Sequence, residues 1–117
     1  MSFSIRSVDP LTFRLEKQGG ALMTIRIAIF TKDTKNRVSL LFMGSAPNKV
    51  EVQTLPNLPP GNYQLVAVAV IEEGVNGTYE YDGQLNGNVF ARRDGDVNES
   101  SGLDVETVVH RQNLTVV

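Results

Sequence analysis

The sequence predicts an all-β protein, an immunoglobulin-like antiparallel β-sandwich of seven to nine strands. Three observations support this fold class. Apolar and polar residues alternate with period two along most of the chain, which is typical of half-buried strands. Turn-forming residues recur about every 8–12 positions, as they do in sandwiches and barrels. The stretch LPNLPPGNYQLVAVAV, residues 55–70, runs from a proline-glycine turn into a strand that is apolar on both faces.

Length and composition fit a single domain that spans residues 1–117. Hydrophobic residues make up 41% and charged residues 21%, which is ordinary for a globular chain with its own core. Residues 72–102 are rich in glycine and contain no long apolar run, so we expect a glycine-rich hairpin or loop arm there.

Charge and cysteine content argue against several partners and chemistries. The net charge is −2, and the densest basic cluster, Arg92 and Arg93, is followed at once by acidic residues, so we expect no nucleic acid partner. The chain has no cysteine, which excludes disulfides and thiolate chemistry and fits folding in a reducing compartment. The longest apolar run, Leu65 to Ile71, is far shorter than the roughly 20 residues of a membrane helix. No signal peptide is visible, and we expect no membrane partner.

The first half of the chain contains alternating segments that we interpret as strands, and we find no convincing helix anywhere. Each of these segments directs one side toward a core and the other toward water or a second contact. Lys32 to Asn36 and Gly44 to Asn48 separate strands and are interpreted as turns or loops. The segments are Leu11 to Leu15, Met23 to Ile29, Val38 to Met43 and Val50 to Gln53.

The strand after Gly61 is expected to be central in a sheet. Tyr63, Leu65, Ala67, Ala69 and Ile71 form one of its faces, and three valines at positions 66, 68 and 70 form the other. A strand that is apolar on both faces is typically covered on both sides. Pro59, Pro60 and Gly61 restrict the backbone at its entry and so set its direction.

The segment TYEYDGQLNGNVFARRD, residues 78–94, is predicted to be a hairpin with two alternative turns. We prefer Asn86-Gly87 over Asp82-Gly83 because it pairs favourable side chains across the strands. The preferred register places Leu85 opposite Asn88, Tyr81 opposite Arg92, and Glu80 opposite Arg93. The chain then alternates again from Val105, and residues 114–117 are expected to form a paired terminal strand.

The segment LPPGNYQL, Leu58 to Leu65, resembles the turn-into-strand element of immunoglobulin-like sandwiches. It is most similar to the prealbumin-like and Cna-B-type adhesin modules, and it also resembles the corresponding turn of fibronectin type III domains. The resemblance implies a sandwich in which the Tyr63 hydroxyl bonds back to the backbone near the preceding corner. Ala67 stands where the isopeptide-forming adhesin modules have glutamate, so the resemblance implies no isopeptide bond here.

No catalytic group can be assembled from the sequence, so we expect no enzyme and no cofactor. His110 is the single histidine, and a catalytic triad or most zinc sites would require partners that the chain lacks. Asp94, Asp96 and Asn98 have the alternate spacing of a calcium loop, yet Glu99 and Val105 occupy the positions where an EF-hand has glycine and glutamate. The sequence leaves two alternatives for residues 94–106: a loop that binds calcium, or an acidic loop that is exposed to solvent and binds no metal.

The candidate interaction surface lies in the glycine-rich hairpin. Its aromatic residues could form a stacking surface for sugar or protein, or they could instead pack the hairpin against the sandwich. Two arginines follow them directly in the sequence. The candidate residues are Tyr79, Tyr81, Phe90, Arg92 and Arg93.

The expected function is therefore a structural or adhesive module that docks on protein subunits of a larger assembly, further copies of itself included. Folding in a cytoplasm combined with a sandwich of the kind that acts outside cells favours a bacteriophage virion component: a capsid decoration, tail or fibre-attachment protein. Its expected location is the virion or an extracellular surface. The alternatives are a carbohydrate-binding module that takes glycan on the aromatic hairpin, and a domain cut from a secreted adhesin.

Overall fold

The computed structural model describes residues 2–45, 49–100 and 105–117. Within these residues the chain forms nine strands and one four-residue helix, a helical turn that the sequence did not predict. The elements are β1 (Ser2–Ile5), β2 (Leu11–Gln18), β3 (Leu22–Thr31), β4 (Arg37–Ser45), β5 (Lys49–Leu55), β6 (Gly61–Glu72), β7 (Thr78–Leu85), β8 (Asn88–Asp96), α1 (Val97–Ser100) and β9 (Val105–Val116).

The strands form two sheets that pack face to face, which confirms the predicted β-sandwich. The five-stranded sheet has the order β1-β9-β6-β3-β4, and the four-stranded sheet has the order β5-β2-β7-β8. All described strand pairs are antiparallel except β1 with β9, which run parallel. No helix among the described residues has the length and hydropathy needed to cross a membrane.

The two sheets share one hydrophobic core, built from the alternating residues that face inward. Leu11, Phe13 and Leu15 of β2 are buried, and Thr12, Arg14 and Glu16 between them face outward. The ring of Phe13 meets the ring of Phe90 from β8 edge-on, with centroids 5.9 Å apart. The largest fully buried side chains outside these are Tyr81, Lys17, Ile25, Ile27, Ile29, Met43, Leu65 and Ile71.

Strand β6 is central, as predicted, because it pairs with β3 on one side and β9 on the other. The face that begins with Tyr63 and Leu65 is buried in the core. The prediction that the valine face is also covered is wrong. Val66, Val68 and Val70 lie on the outer side of the five-stranded sheet and keep part of their surface exposed. An apolar face therefore remains open to solvent.

The alternating residues of β4 and β5 correctly predict two strands, but they do not show which side of each strand faces the core. In β4 the buried residues are Leu41 and Met43, whereas Phe42 is 63% exposed. In β5, Val50 and Val52 point outward from the edge of the four-stranded sheet and are about half exposed. Both strands are sheet edges with fewer neighbours, so apolar residues occur on both of their faces.

The hairpin turn at Asn86-Gly87 is present, and both residues have positive φ angles of 48° and 81°. The predicted register holds only beside the turn, where Leu85 faces Asn88. A bulge then leaves Phe90 unpaired, so Arg92 faces Asp82 and Arg93 faces Tyr81. The extra residue turns both Phe90 and Ala91 into the core, which explains why the simple pairing was wrong by one position.

The hairpin also contributes two of the four strands of its sheet, because β7 pairs with β2 from Phe13 to Gln18. The expectation of a separate arm is corrected accordingly. The hydrogen bond predicted for Tyr63 is confirmed, since its hydroxyl donates to the Pro59 carbonyl oxygen at 2.8 Å. This bond fixes the turn that directs β6.

Replacing Gly87 with alanine should destabilise the protein by about 1 kcal/mol, because a Cβ is unfavourable at positive φ even though no atom lies within 4 Å of its position. Gly44→Ala is the control, since its Cβ would meet only Thr24 at 4.0 Å. There alanine should be neutral or stabilising. Urea denaturation measures both changes. Equal destabilisation by the two substitutions would contradict the turn geometry.

Candidate functional site

The three aromatic residues of the candidate surface lie in the core. Tyr79, Tyr81 and Phe90 are exposed by only 3%, 1% and 1%, so they offer no face for stacking a sugar. The first two stack on each other, with centroids 6.0 Å apart. They face inward because β7 is an interior strand whose odd-numbered residues point at the opposite sheet. The stacking platform predicted from these rings is wrong, and the packing alternative is confirmed.

Arg93 and Glu106 join the two sheets at one edge of the sandwich. Arg93 Nη2 donates to Glu106 Oε1 at 2.7 Å, and its Nε donates to the Tyr79 hydroxyl at 3.0 Å. The same hydroxyl donates to Glu106 Oε2 at 3.0 Å. The hydrogen bonds that Arg93 donates to the Tyr79 hydroxyl and to Glu106 raise the pKa of Arg93, so its guanidinium stays charged. Arg93 therefore links β8 of one sheet to β9 of the other.

Tyr81 and His110 form a second contact between the sheets. The Tyr81 hydroxyl lies 2.6 Å from His110 Nε2, and the two rings meet edge-on. Burial raises the pKa of Tyr81, so its hydroxyl keeps its proton. The tautomer of His110 sets which of the two groups is the donor of their hydrogen bond. Sequence analysis identified both residues but could not pair them, because they lie on different sheets.

Acidification should weaken folding through His110. Burial, with a smaller contribution from the charge of Arg93, lowers its pKa below the ordinary 6.5. As pH falls from about 7 to 5, the unfolded chain takes up a proton that the folded chain resists, so the free energy of unfolding decreases. For His110→Gln, the free energy of unfolding should decrease less between pH 7 and pH 5.5 than it does for the unmodified protein. Urea denaturation at the two pH values measures this difference. A variant with the same pH dependence as the unmodified protein would contradict this role.

Arg92, the remaining candidate residue, is exposed on the outer side of the four-stranded sheet. Its Nε donates to Asp82 Oδ2 at 2.9 Å. Glu80 faces Asp94 across the same pair of strands, and neither carboxylate has an ion pair among the described residues. Like charges placed directly opposite each other disfavour the pairing of their strands.

We call the outer side of β2, β7 and β8 the acidic face, because carboxylates outnumber arginines there. Its charged residues are Arg14, Glu16, Glu80, Asp82, Arg92 and Asp94.

The residues that have the spacing of a calcium loop are Asp94, Asp96 and Asn98. Asp94 lies on the acidic face, whereas Asp96 accepts a hydrogen bond from the Asn98 backbone N–H at 3.0 Å and so caps α1. No group of three or more His, Asp or Glu residues that could hold a metal occurs among residues 2–45, 49–100 and 105–117. Residues 101–104 of the loop lie outside the described residues.

A cleft of about 550 Å³ lies at one end of the sandwich, between the β3–β4 loop and the turn before β6. Lys32 and Asp33 are its charged residues, and both belong to the exposed loop. Its other lining residues are Thr31, Pro60, Gly61, Asn62 and Tyr63.

The outer side of the five-stranded sheet carries exposed apolar residues on several strands. Phe42 and Val109 are 63% and 48% exposed, and the valines of β6, which are only partly exposed, lie between their strands. The sequence signal for this surface was the second apolar face of β6, which we interpreted as a buried one. We call this surface the open face and define it by Phe42, Val66, Val68, Val70, Val105 and Val109.

Two arginines lie within the open face. The strand register places Arg26 between Phe42 and Val68, and it places Arg111 beside Val66. Both arginines are exposed, and neither has an ion pair or side-chain hydrogen bond among the described residues. The open face therefore combines apolar side chains with unpaired positive charge.

Comparison with known proteins leaves the family open. No family model matches the chain, and no curated protein matches it. Among solved structures, a DUF4425 family protein from Bacteroides ovatus is similar at 6% sequence identity and a TM-score of 0.36, over 89% of this chain and 92% of that chain.

Proposed function

We propose that this protein is a non-enzymatic structural module that docks on other protein subunits through the open face. The observation that carries the proposal is the exposure of apolar side chains across several adjacent strands of one sheet. Single exposed apolar residues are ordinary on a protein surface, but a contiguous patch of them is typical of an interaction site.

The dimensions of the open face suit a stable protein interface. Strands about 4.8 Å apart that rise about 3.4 Å per residue give the four strands β4, β3, β6 and β9 a face of roughly 20 Å by 30 Å, or about 600 Å². Specific interfaces bury about 800 Å² on each partner. Covering the open face would also remove Phe42 from water, and buried aromatic side chains often carry much of the binding energy.

The setting we propose is a bacteriophage virion, in which the protein serves as a capsid decoration, tail or fibre-attachment component. This part rests on analogy with other stand-alone sandwiches. The alternative of a carbohydrate-binding module loses its main supporting observation, because the aromatic rings that would stack on sugar are buried in the core. An adhesin domain would use the open face in the same way, with another protein as its partner.

The proposal is tested by placing a charge in the open face. Val109→Asp should remove the protein from its native complex, with at least a tenfold loss of recovery, because an aspartate carboxylate would be desolvated in the interface. Val75→Asp is the control, since Val75 is an exposed valine on the β6–β7 loop outside the open face.

Native mass measurement of the complex purified from the source organism gives the readout, and unchanged melting temperatures show that both variants fold. Loss of Val109→Asp alone is the expected result. Recovery of both variants in the complex at the level of the unmodified protein would overturn the proposal.

A further inference from the structure

The partner of the open face can be inferred from the charges on the two outer sides of the sandwich. The open face carries Arg26 and Arg111, which have no ion pair within the part of the chain that the structure describes and which lie beside apolar side chains. The opposite side of the molecule carries Glu80 and Asp94, also without ion pairs among the described residues and directly opposite each other. The charges that have no ion pair among the described residues are therefore positive on one of these surfaces and negative on the other.

We propose that the open face of one copy docks on the acidic face of a second copy, so that the chain assembles head to tail. This inference rests on the proposed function, because it names the partner of the same surface. In the assembly, Arg26 and Arg111 lie against Glu80 and Asp94 of the next copy. The arginines neutralise two carboxylates that otherwise repel each other across β7 and β8.

A head-to-tail contact explains the charge distribution better than a symmetric contact between two open faces. A symmetric contact brings arginines of both copies into one apolar interface, and an unpaired charge in such an interface is costly. In the head-to-tail contact each arginine meets a carboxylate. Because the two surfaces differ, the contact repeats from copy to copy and yields a ring or a filament.

Self-association of the purified full chain tests this inference. Sedimentation velocity should show a mass that increases with protein concentration and decreases between about 50 mM and 0.5 M NaCl, since salt screens the charged contacts. Arg26→Glu and Glu80→Arg should each weaken association at least tenfold, because each creates a like-charge contact. Lys32→Glu and Asp33→Arg reverse charges on the exposed β3–β4 loop and should leave association unchanged.

Mixing the two weakened variants separates head-to-tail assembly from other contacts. In the mixture, the unchanged Glu80 of one variant meets the unchanged Arg26 of the other, and the reversed residues also meet as opposite charges. Association should therefore recover to within about threefold of the unmodified protein, and it should recover equally in a single chain that carries both substitutions.

Three results would overturn the inference. Weakening by Arg26→Glu without weakening by Glu80→Arg would show that the open face meets a surface other than the acidic face. Insensitivity to both reversals would place the contact elsewhere. A chain that stays monomeric while Val109→Asp still removes it from its native complex would show a different partner protein, and it would leave the proposed function intact.

Discussion

Replacing Leu65 with alanine should lower the free energy of unfolding by about 2–5 kcal/mol, the range for a leucine truncated in a packed core. Leu65 is fully buried on the inner side of β6, where it lies between Ile29 of β3 and Gln112 of β9. The neighbouring strands and the opposite sheet limit how far this site can collapse, so most of the cavity should remain.

The matched control is Leu40→Ala, which removes the same atoms from the outer side of β4. Leu40 is partly exposed and pairs with Ala28 on the open face, so we expect a cost below about 1 kcal/mol. Guanidinium denaturation measures both changes. Similar losses for the two leucines would mean that the sheet is covered on both sides, and the open face would not exist in the isolated chain.

Replacing Lys17 with methionine should stabilise the protein by about 1–3 kcal/mol at neutral pH, because a buried ammonium is costly and an apolar side chain of similar shape is not. Lys17 is only 1% exposed on the inner side of β2. Its Nζ donates to the Gly19 carbonyl oxygen at 3.0 Å, and it has no ion pair among the described residues.

The pH dependence of this difference follows from the pKa of Lys17, which burial lowers from its ordinary 10.5. Below both values the folded chain carries the full cost of the buried charge. As pH rises through the folded pKa toward 10.5, the folded chain releases its proton first and this cost disappears. The advantage of methionine should therefore shrink between about pH 7 and 10.

Lys32→Met is the control for this prediction, because Lys32 is exposed on the β3–β4 loop and is not paired with Lys17. It should change stability by less than about 0.5 kcal/mol at either pH. Urea denaturation of the three proteins at both pH values gives the comparison. A destabilised Lys17→Met variant would show that the ammonium contributes to the fold rather than opposing it.

Local sequence signals predicted most of the fold. The two-residue turn at Asn86-Gly87 could be predicted because positive φ angles favour these residue types. The bulge at Phe90 could not, because the side chains around an inserted residue resemble those of a regular strand. The side of β4 that faces the core could not be predicted either. Both of its sides carry apolar residues, and the opposite sheet determines which of them is buried.

The candidate site was harder to predict because its contacts join distant parts of the chain. Arg93 and Glu106 come together only when β8 and β9 lie at the same edge of the sandwich. The open face could not be predicted from the sequence for a different reason. The apolar valines of β6 led to the expectation of a covered face, because a sequence cannot distinguish a second layer of the same chain from an apolar face that stays open.

Hydroxyl-radical footprinting of Phe42 tests the central claim most directly, with the dilute isolated chain compared against the protein in its native complex. Phe42 should be modified in the isolated chain and protected at least fivefold in the complex, because the open face is exposed in one state and covered in the other. Phe13, which is fully buried, should stay unmodified in both. Equal modification of Phe42 in the two states would contradict docking through the open face.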